Sequence, residues 1–356
     1  MKILIVGAGP AGLTLAHMMM KDDKSHSVIV IERRGRHESV GWGITLSPET
    51  LASVAYDIND FQSIHRSTLS YDDTDYLSTQ INLIAISRDA LIRFLSARCE
   101  EVGVDLRFET SVQTVDDLEK QGFDLIVGAD GVNSVVRKLY ARFFSTFITE
   151  SPLYHIWLST PKLFGDQLVS TLESYNDTLF NLWGYQFSDS ASSCIVECTP
   201  EALVKSGLTD LSSVSLCRHV GHIFRHVLED HPVVCRKFPQ WNKFPFVKSK
   251  CWHHHHTVLL GDAAHTAHFS KGYGTEHAIS DAKSLATHLS SSSSVASALT
   301  AYEQERMPQV AFSQARAMSS HNWYSTLLKS YTSRHPDTVL DSIRDLIERE
   351  RASAHK

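Results

Sequence analysis

The chain opens KILIVGAGPAG, and no other stretch limits its fold as strongly. Residues 2–6 read as a short buried strand, and Gly7, Gly9 and Gly12 follow as G-x-G-x-x-G directly before the apolar run LTLAHMMM. Strand, tight turn and helix in that order predict a βαβ unit with the pyrophosphate of a dinucleotide at the helix N-terminus. Gly7 permits the turn, Gly9 lets a phosphate approach the backbone, and Gly12 lets the helix pack close to the strand. Pro10 sits in the turn, where its missing N–H costs little, with Ala11 beside it. A second apolar strand, SVIVIE, ends at Glu32, where an acid binds ribose hydroxyls, and Arg33 follows. Both NAD and FAD carry an ADP ribose, so this acid does not choose between them.

Two further turns combine glycine with an acid. After a predicted helix at 88–103 and the strand VDLRFET, the chain reads FDLIVGADGVNSVVRKLY. This places Asp124, Gly128, Asp130, Gly131, Ser134 and Arg137 in the spacing D-x-x-x-G-x-D-G-x-x-S-x-x-R, a buried strand feeding a turn and a helix. Far downstream, the strand TVLLGDA runs into Gly261 and Asp262, and past Gly272 a helix is predicted from near Gly274 and Thr275. At a strand end, the Asp262 carboxylate can accept hydrogen bonds from a polyol chain such as ribityl, while the helix N-terminus can face the pyrimidine edge of a flavin.

With all three motifs in order, the sequence resembles the FAD-dependent aromatic hydroxylases of the p-hydroxybenzoate hydroxylase fold over nearly its whole length. The resemblance implies an α/β architecture: a Rossmann-like FAD-binding domain interleaved with an antiparallel-sheet substrate domain, followed by C-terminal helices. It assigns ADP binding to Gly7, Gly9, Gly12 and Glu32, FAD contact to Asp130, Gly131 and Arg137, and the ribityl chain to Asp262, with Arg88 matching a family arginine near the FAD. The family commonly has proline where this chain has Phe269. That departure, with GWGITLSP at 41–48, YHIWLSTPKLF at 154–164 and CIVEC at 194–198, resembles the branch of salicylyl-CoA 5-hydroxylase, 2-aminobenzoyl-CoA monooxygenase and the violacein-pathway indole hydroxylase. Such enzymes use transient NADH or NADPH to reduce FAD and O2 to form a flavin C4a-hydroperoxide, which oxygenates an electron-rich ring. Trp42 and Gly43 fall beside the expected flavin edge, and His265 and His268 lie in the expected flavin loop, where either could donate to the oxygenating species or the substrate. Packing of these side chains is the competing reading.

Between about 150 and 250 the helical period gives way to runs such as YHIWLST, QLVSTLESY and TLFNLWGYQF, which predict an antiparallel sheet joined by the strand-like segment 74–87. The expected division is 1–73, 88–149 and 251–290 for FAD, 74–87 with 150–250 for substrate, and 291–356 as C-terminal helices. Trp183 and Tyr185, at period-two spacing, and Phe269 are the candidate floor for a flat substrate. Apolar residues are 42%, charged residues 21% and the net charge is −6, which gives no electrostatic reason to expect a nucleic acid or an acidic membrane as partner. A small aromatic substrate and a monomer or homodimer in the cytoplasm are the expectation, with neither a signal segment nor a membrane span. Six cysteines without CxxC predict reduced thiols, and neither Cys194 with Cys198 nor the polar-loop run His253 to His256 has the ligand set of a metal site, so no metal is expected. Arg236 with Lys237, or Lys248 with Lys250, would suit a CoA thioester without requiring one. A flavin oxidase, dehydrogenase or halogenase, or a non-catalytic flavin protein, are the alternatives on the same fold; the sequence lacks the W-x-W-x-I-P element of halogenases.

Overall fold

The computed structural model describes residues 1–36, 38, 41–56, 61–119, 122–209, 211–236, 239–331 and 337–354, with side chains to residue 348. Its chain runs β1 (Lys2–Val6), α1 (Pro10–Asp22), β2 (Ser27–Ile31), β3 (Gly43–Leu46), α2 (Pro48–Ser53), β4 (Gln62–Tyr71), β5 (Thr74–Ser87), α3 (Arg88–Glu101), β6 (Asp105–Arg107), α4 (Val115–Glu119), β7 (Leu125–Gly128), α5 (Val135–Leu139) and α6 (Ala141–Phe144). It continues through β8 (Thr146–Thr160), β9 (Gln167–Tyr175), β10 (Thr178–Ser188), β11 (Ala191–Cys198), α7 (Pro200–Lys205), α8 (Ser213–Ile223), α9 (Arg225–Leu228), β12 (Asn242–Ser249), β13 (His253–His254) and β14 (Thr257–Leu259). Three long helices close it: α10 (Tyr273–Ser291), α11 (Val295–Ser330) and α12 (Asp337–Ala354).

Two sheets organise these elements. The first has the order β13-β14-β7-β1-β2-β6 and is parallel except at β13. Its central strands are apolar on both faces, with Ile3, Ile5, Val127 and Val258 fully buried, as a parallel sheet covered by helices requires. The second sheet, β12-β8-β11-β10-β9-β4-β5-β3, is antiparallel except where β4 runs parallel to β9. One face of it packs Leu158, Leu182 and Val196 against α7 and α8, around a second core that also takes Cys194 and Cys198. The other face meets α11 and α12 through Leu172, Trp183, Tyr324 and Ile343.

The return of the chain is the feature that builds the site. After β7 the chain leaves to make the large sheet, then β14 comes back to pair in parallel with β7, Thr257 opposite Ile126. The C-terminal ends of β1, β7 and β14 therefore lie side by side, and all three glycine-acid turns leave from that edge. Two expectations change. Segments 43–46 and 62–71, expected with the first piece of the FAD-binding domain, form β3 and β4 and pair in the large sheet. The histidine run, expected as a loop, starts with the edge strand β13: His253 Nδ1 lies 3.1 Å from Glu303 Oε2, and His254 stacks on Phe143.

Candidate active site

A cavity of about 1720 Å³ lies between the strand ends of the first sheet and the inner face of the second. Single ligands usually occupy roughly 300–1,000 Å³, so the space suits a large cofactor and a second molecule beside it.

The cofactor end is made of backbone. Gly9, Pro10 and Ala11 line the cavity at the start of α1, whose N-cap Gly9 offers no side-chain acceptor and whose first turn holds no acid. Free N–H groups at a helix N-terminus are what a phosphate binds. The three glycines divide the labour: a Cβ on Gly7 would stand 2.3 Å from Ala129 O and one on Gly12 2.1 Å from Gly7 O, whereas Gly9 meets nothing closer than 3.9 Å. Gly7 and Gly12 thus close the turn against the neighbouring strand, and Gly9 keeps its cavity side open. Opposite, Gly272, Tyr273, Gly274 and Thr275 present the equally uncapped N-terminus of α10 to the same space. Gly272 has φ +69, and a Cβ there would lie 2.5 Å from Thr45 Oγ1.

Between these two helix ends stand Arg88, Ala129, Gly131, Gly261 and Asp262. Asp262 is accessible where it lines the cavity, and the protein crowded around it raises its pKa while His265 and Arg88 pull it down. Burial likewise lowers the pKa of Arg88, which Asp262 opposes. A carboxylate and a guanidinium facing an internal space, flanked by free backbone donors, are the donor set for a polyol with a diphosphate. Glu32 sits outside the cavity wall, its carboxylate accepting the Ala8 N–H at 3.1 Å and the Arg34 N–H at 3.0 Å. Arg33 is exposed beyond it.

The other end is aromatic. Trp157, Trp183 and Tyr185 rise from β8 and β10, and Phe269 closes the wall from the turn before α10. Trp183 donates its indole N–H to Glu197 Oε2 at 2.9 Å, and the Tyr185 hydroxyl donates to Gly43 O at 2.8 Å, which fixes both rings. Tyr324 of α11 joins them, its hydroxyl 2.8 Å from that of Ser170. Sequence reasoning missed α11 as a cavity wall, and it missed His155, which lines the same end; a helix declares its buried stripe but not what that stripe covers.

Several expected contact residues work from behind the wall. The Arg137 guanidinium donates to Ala263 O at 2.7 Å and to Val132 O at 2.5 Å, clamping two glycine-acid turns together by their carbonyls. Asp130 Oδ2 accepts the Val135 N–H at 2.5 Å, capping α5 in place of reaching the cavity. Gly43 packs under Phe187, 2.4 Å from where a Cβ would stand, and Trp42 packs beneath the Arg236 guanidinium at 4.8 Å, away from the cavity. Lys237, grouped above with Arg236, lies outside the described residues. His265 turns into the protein, with Nε2 2.8 Å from Asp281 Oδ2 and its ring against Trp252. His268 is also behind the wall, 1% exposed, with Nε2 3.4 Å from Glu197 Oε1. The loop itself reaches the cavity through Asp262, Ala267 and Phe269, while His265 points toward Asp281 of α10 and His268 toward Glu197 of β11.

Residues 1–316 match the protein family described as FAD binding domain. The chain belongs to that family. It is 28% identical to protodeoxyviolaceinate monooxygenase of Chromobacterium violaceum, over 92% of this chain and 90% of that protein. It is 32% identical to salicyloyl-CoA 5-hydroxylase of a Streptomyces species, over 91% of this chain and 65% of that longer protein. A third relative, 28% identical over 97% of this chain and 93% of its own length, is the 3-hydroxy-4-methyl-anthranilyl-[aryl-carrier protein] 5-monooxygenase of Streptosporangium sibiricum. Among solved structures, 2-methyl-3-hydroxypyridine-5-carboxylic acid oxygenase superposes with a TM-score of 0.75 at 19% identity, covering 96% of each chain, which shows the shared fold. The chain is accordingly an FAD-dependent aromatic monooxygenase of the branch that its sequence resembles. Among the described residues, no helix is long and apolar enough to cross a membrane.

Proposed function

We propose that this enzyme uses NADH or NADPH and O2 to hydroxylate an aromatic ring made electron-rich by a hydroxyl, amino or indole nitrogen, free or carried as a thioester. The observation that carries the reading is the single continuous cavity with a backbone-donor end and an aromatic end. When bound, the flavin supplies the redox chemistry: two-electron reduction by the nicotinamide, reaction with O2 and delivery of one oxygen atom to the ring.

The protein's own share is positional. Gly9 to Ala11 and the start of α10 would hold the anionic and ring portions of the FAD, and Asp262 its polyol chain, with Arg88 compensating charge. Trp157, Trp183, Tyr185 and Phe269 would stack and orient the substrate ring and keep water from it. The relatives named for protodeoxyviolaceinate, for salicyloyl-CoA and for a 3-hydroxy-4-methyl-anthranilyl group on an aryl-carrier protein support this substrate class.

Purified protein is expected to be yellow and to raise both nicotinamide oxidation and oxygen uptake when given anthranilate, salicylate or indole derivatives as acids or thioesters. One oxygen atom from labelled O2 should appear in the product. Colourless protein sinks the flavin assignment, and oxygen consumption yielding only peroxide across the panel makes the enzyme an oxidase.

A further inference from the structure

We propose that His155 is the proton acceptor for the ring hydroxyl or ring nitrogen of the substrate, and that Glu197 is its positioning residue. The inference rests on the hydroxylase reading above and deepens it. Oxygen transfer to a phenol, aniline or indole is electrophilic at the ring, and losing the heteroatom proton pushes electron density into the ring when it is needed. A base at the aromatic end would serve that purpose.

Among the described residues lining the cavity, His155 is the imidazole, and it stands at the aromatic end, its ring 5.1 Å from that of Phe269. On its other side His155 pairs across the sheet with Asn242 of β12. Burial pushes its pKa down to about 4, Glu197 opposing and His268 adding to the shift, so the ring is neutral at physiological pH and has a lone pair to offer.

Glu197 is the direct cross-strand partner of His155, β11 against β8, which puts the two side chains on one face of the sheet. It is 1% exposed. Burial alone would raise its pKa, but His268, 3.4 Å away, and the Trp183 N–H hold it below the usual carboxylate value. The His268 Nδ1 accepts the Ser270 N–H at 3.4 Å, which leaves the proton on Nε2, the atom facing Glu197 Oε1. His321 from α11 backs this pair, its ring 4.4 Å from that of His268, and burial pushes it down to about 4. A fixed negative charge beside His155 stabilises the imidazolium that forms when it takes the proton. In that step the O–H or N–H bond of the substrate breaks, an N–H bond forms on His155, and no electrons leave the pair. The proton returns to the product or to water. Glu197 also holds the cavity's Trp183, so one buried carboxylate acts on the base through its charge and on the ring beside it through a hydrogen bond.

The test compares wild type, His155→Gln and Glu197→Gln holoenzymes in single turnover on a hydroxylated substrate and on its O-methyl analogue. Base catalysis is typically worth about 10²–10⁴-fold. His155→Gln should lower the oxygenation rate on the hydroxylated ring by about 100-fold or more at pH 7, recover as pH rises toward the phenol's own pKa, and slow the O-methyl analogue far less. Glu197→Gln should give a smaller loss with the same recovery. Equal rates, or equal loss on both substrates, overturn the assignment while leaving the hydroxylase reading standing. If wild type oxygenates no ring in the panel, both fall together.

Discussion

At Gly7 the demand of the fold on one residue is absolute. Its φ of +111 and the 2.3 Å between a Cβ and Ala129 O leave no room for a side chain, because β7 passes directly beneath the turn. Gly7→Ala is expected to cost about 2–4 kcal/mol and to empty the protein of flavin, measurable as the urea midpoint and the flavin absorbance of purified protein. Gly9, with nothing within 3.9 Å of its Cβ position, should tolerate alanine in the unfolding experiment and lose only flavin affinity. The spacing of these glycines was legible in the sequence, since each follows from the geometry of one strand, one turn and one helix. His155 and Glu197 were not, for their importance comes from being opposite one another on two strands more than forty positions apart.

Between elements, the buried join of α10 and α11 matters most. Asp281 of α10 accepts from Arg306 Nε of α11 at 2.8 Å, from the Gly261 N–H at 3.0 Å, and pairs with His265. One carboxylate so ties the two helices to the turn that presents Asp262. Removing one partner of a buried pair leaves the other charge uncompensated, so Asp281→Asn is expected to cost about 3–5 kcal/mol in chemical denaturation. Burial alone would raise the pKa of Asp281, but His265 and Arg306 outweigh it and depress it. A depressed carboxyl stabilises the fold above its unfolded value and loses that contribution as pH falls through the folded value. Wild type should therefore lose stability progressively below the ordinary carboxylate range, and Asp281→Asn should show a shallower loss across the same interval. The helix α10 and helices in the C-terminal region were legible in the sequence, but not that His265, read as a flavin-loop histidine, belongs to this join.

Across the whole molecule, α12 completes the cavity. Val339 and Ile343 are buried against Tyr324, Leu327 and Leu328 of α11, while Ser342, Asp345 and Leu346 reach the cavity edge. Among the described residues, none of its core contacts involve the parallel sheet. A chain ending at residue 336 is expected to keep its flavin but to let iodide quench flavin fluorescence more strongly, and to oxidise NADH with less oxygenated product per turnover. Loss of all flavin on truncation would show that α12 supports the first sheet as well.

The sequence by itself determined the parallel strands of the first sheet and the three turns that edge its cavity, because each motif is local: a strand, a glycine, an acid and a helix within about twenty positions. It also determined that the middle of the chain is β-structure, since period two survives without knowing the partners. Only the tertiary structure decided which side chains those turns aim into the cavity. Asp262, Arg88 and Gly131 face it; Asp130, Arg137, His265 and His268 turn away to hold the wall. The physical reason is that a buried polar atom must find a partner, and two of the deciding partners, the Ala263 carbonyl for Arg137 and the Glu197 carboxylate for His268, are supplied by segments remote in sequence that meet only in the folded chain.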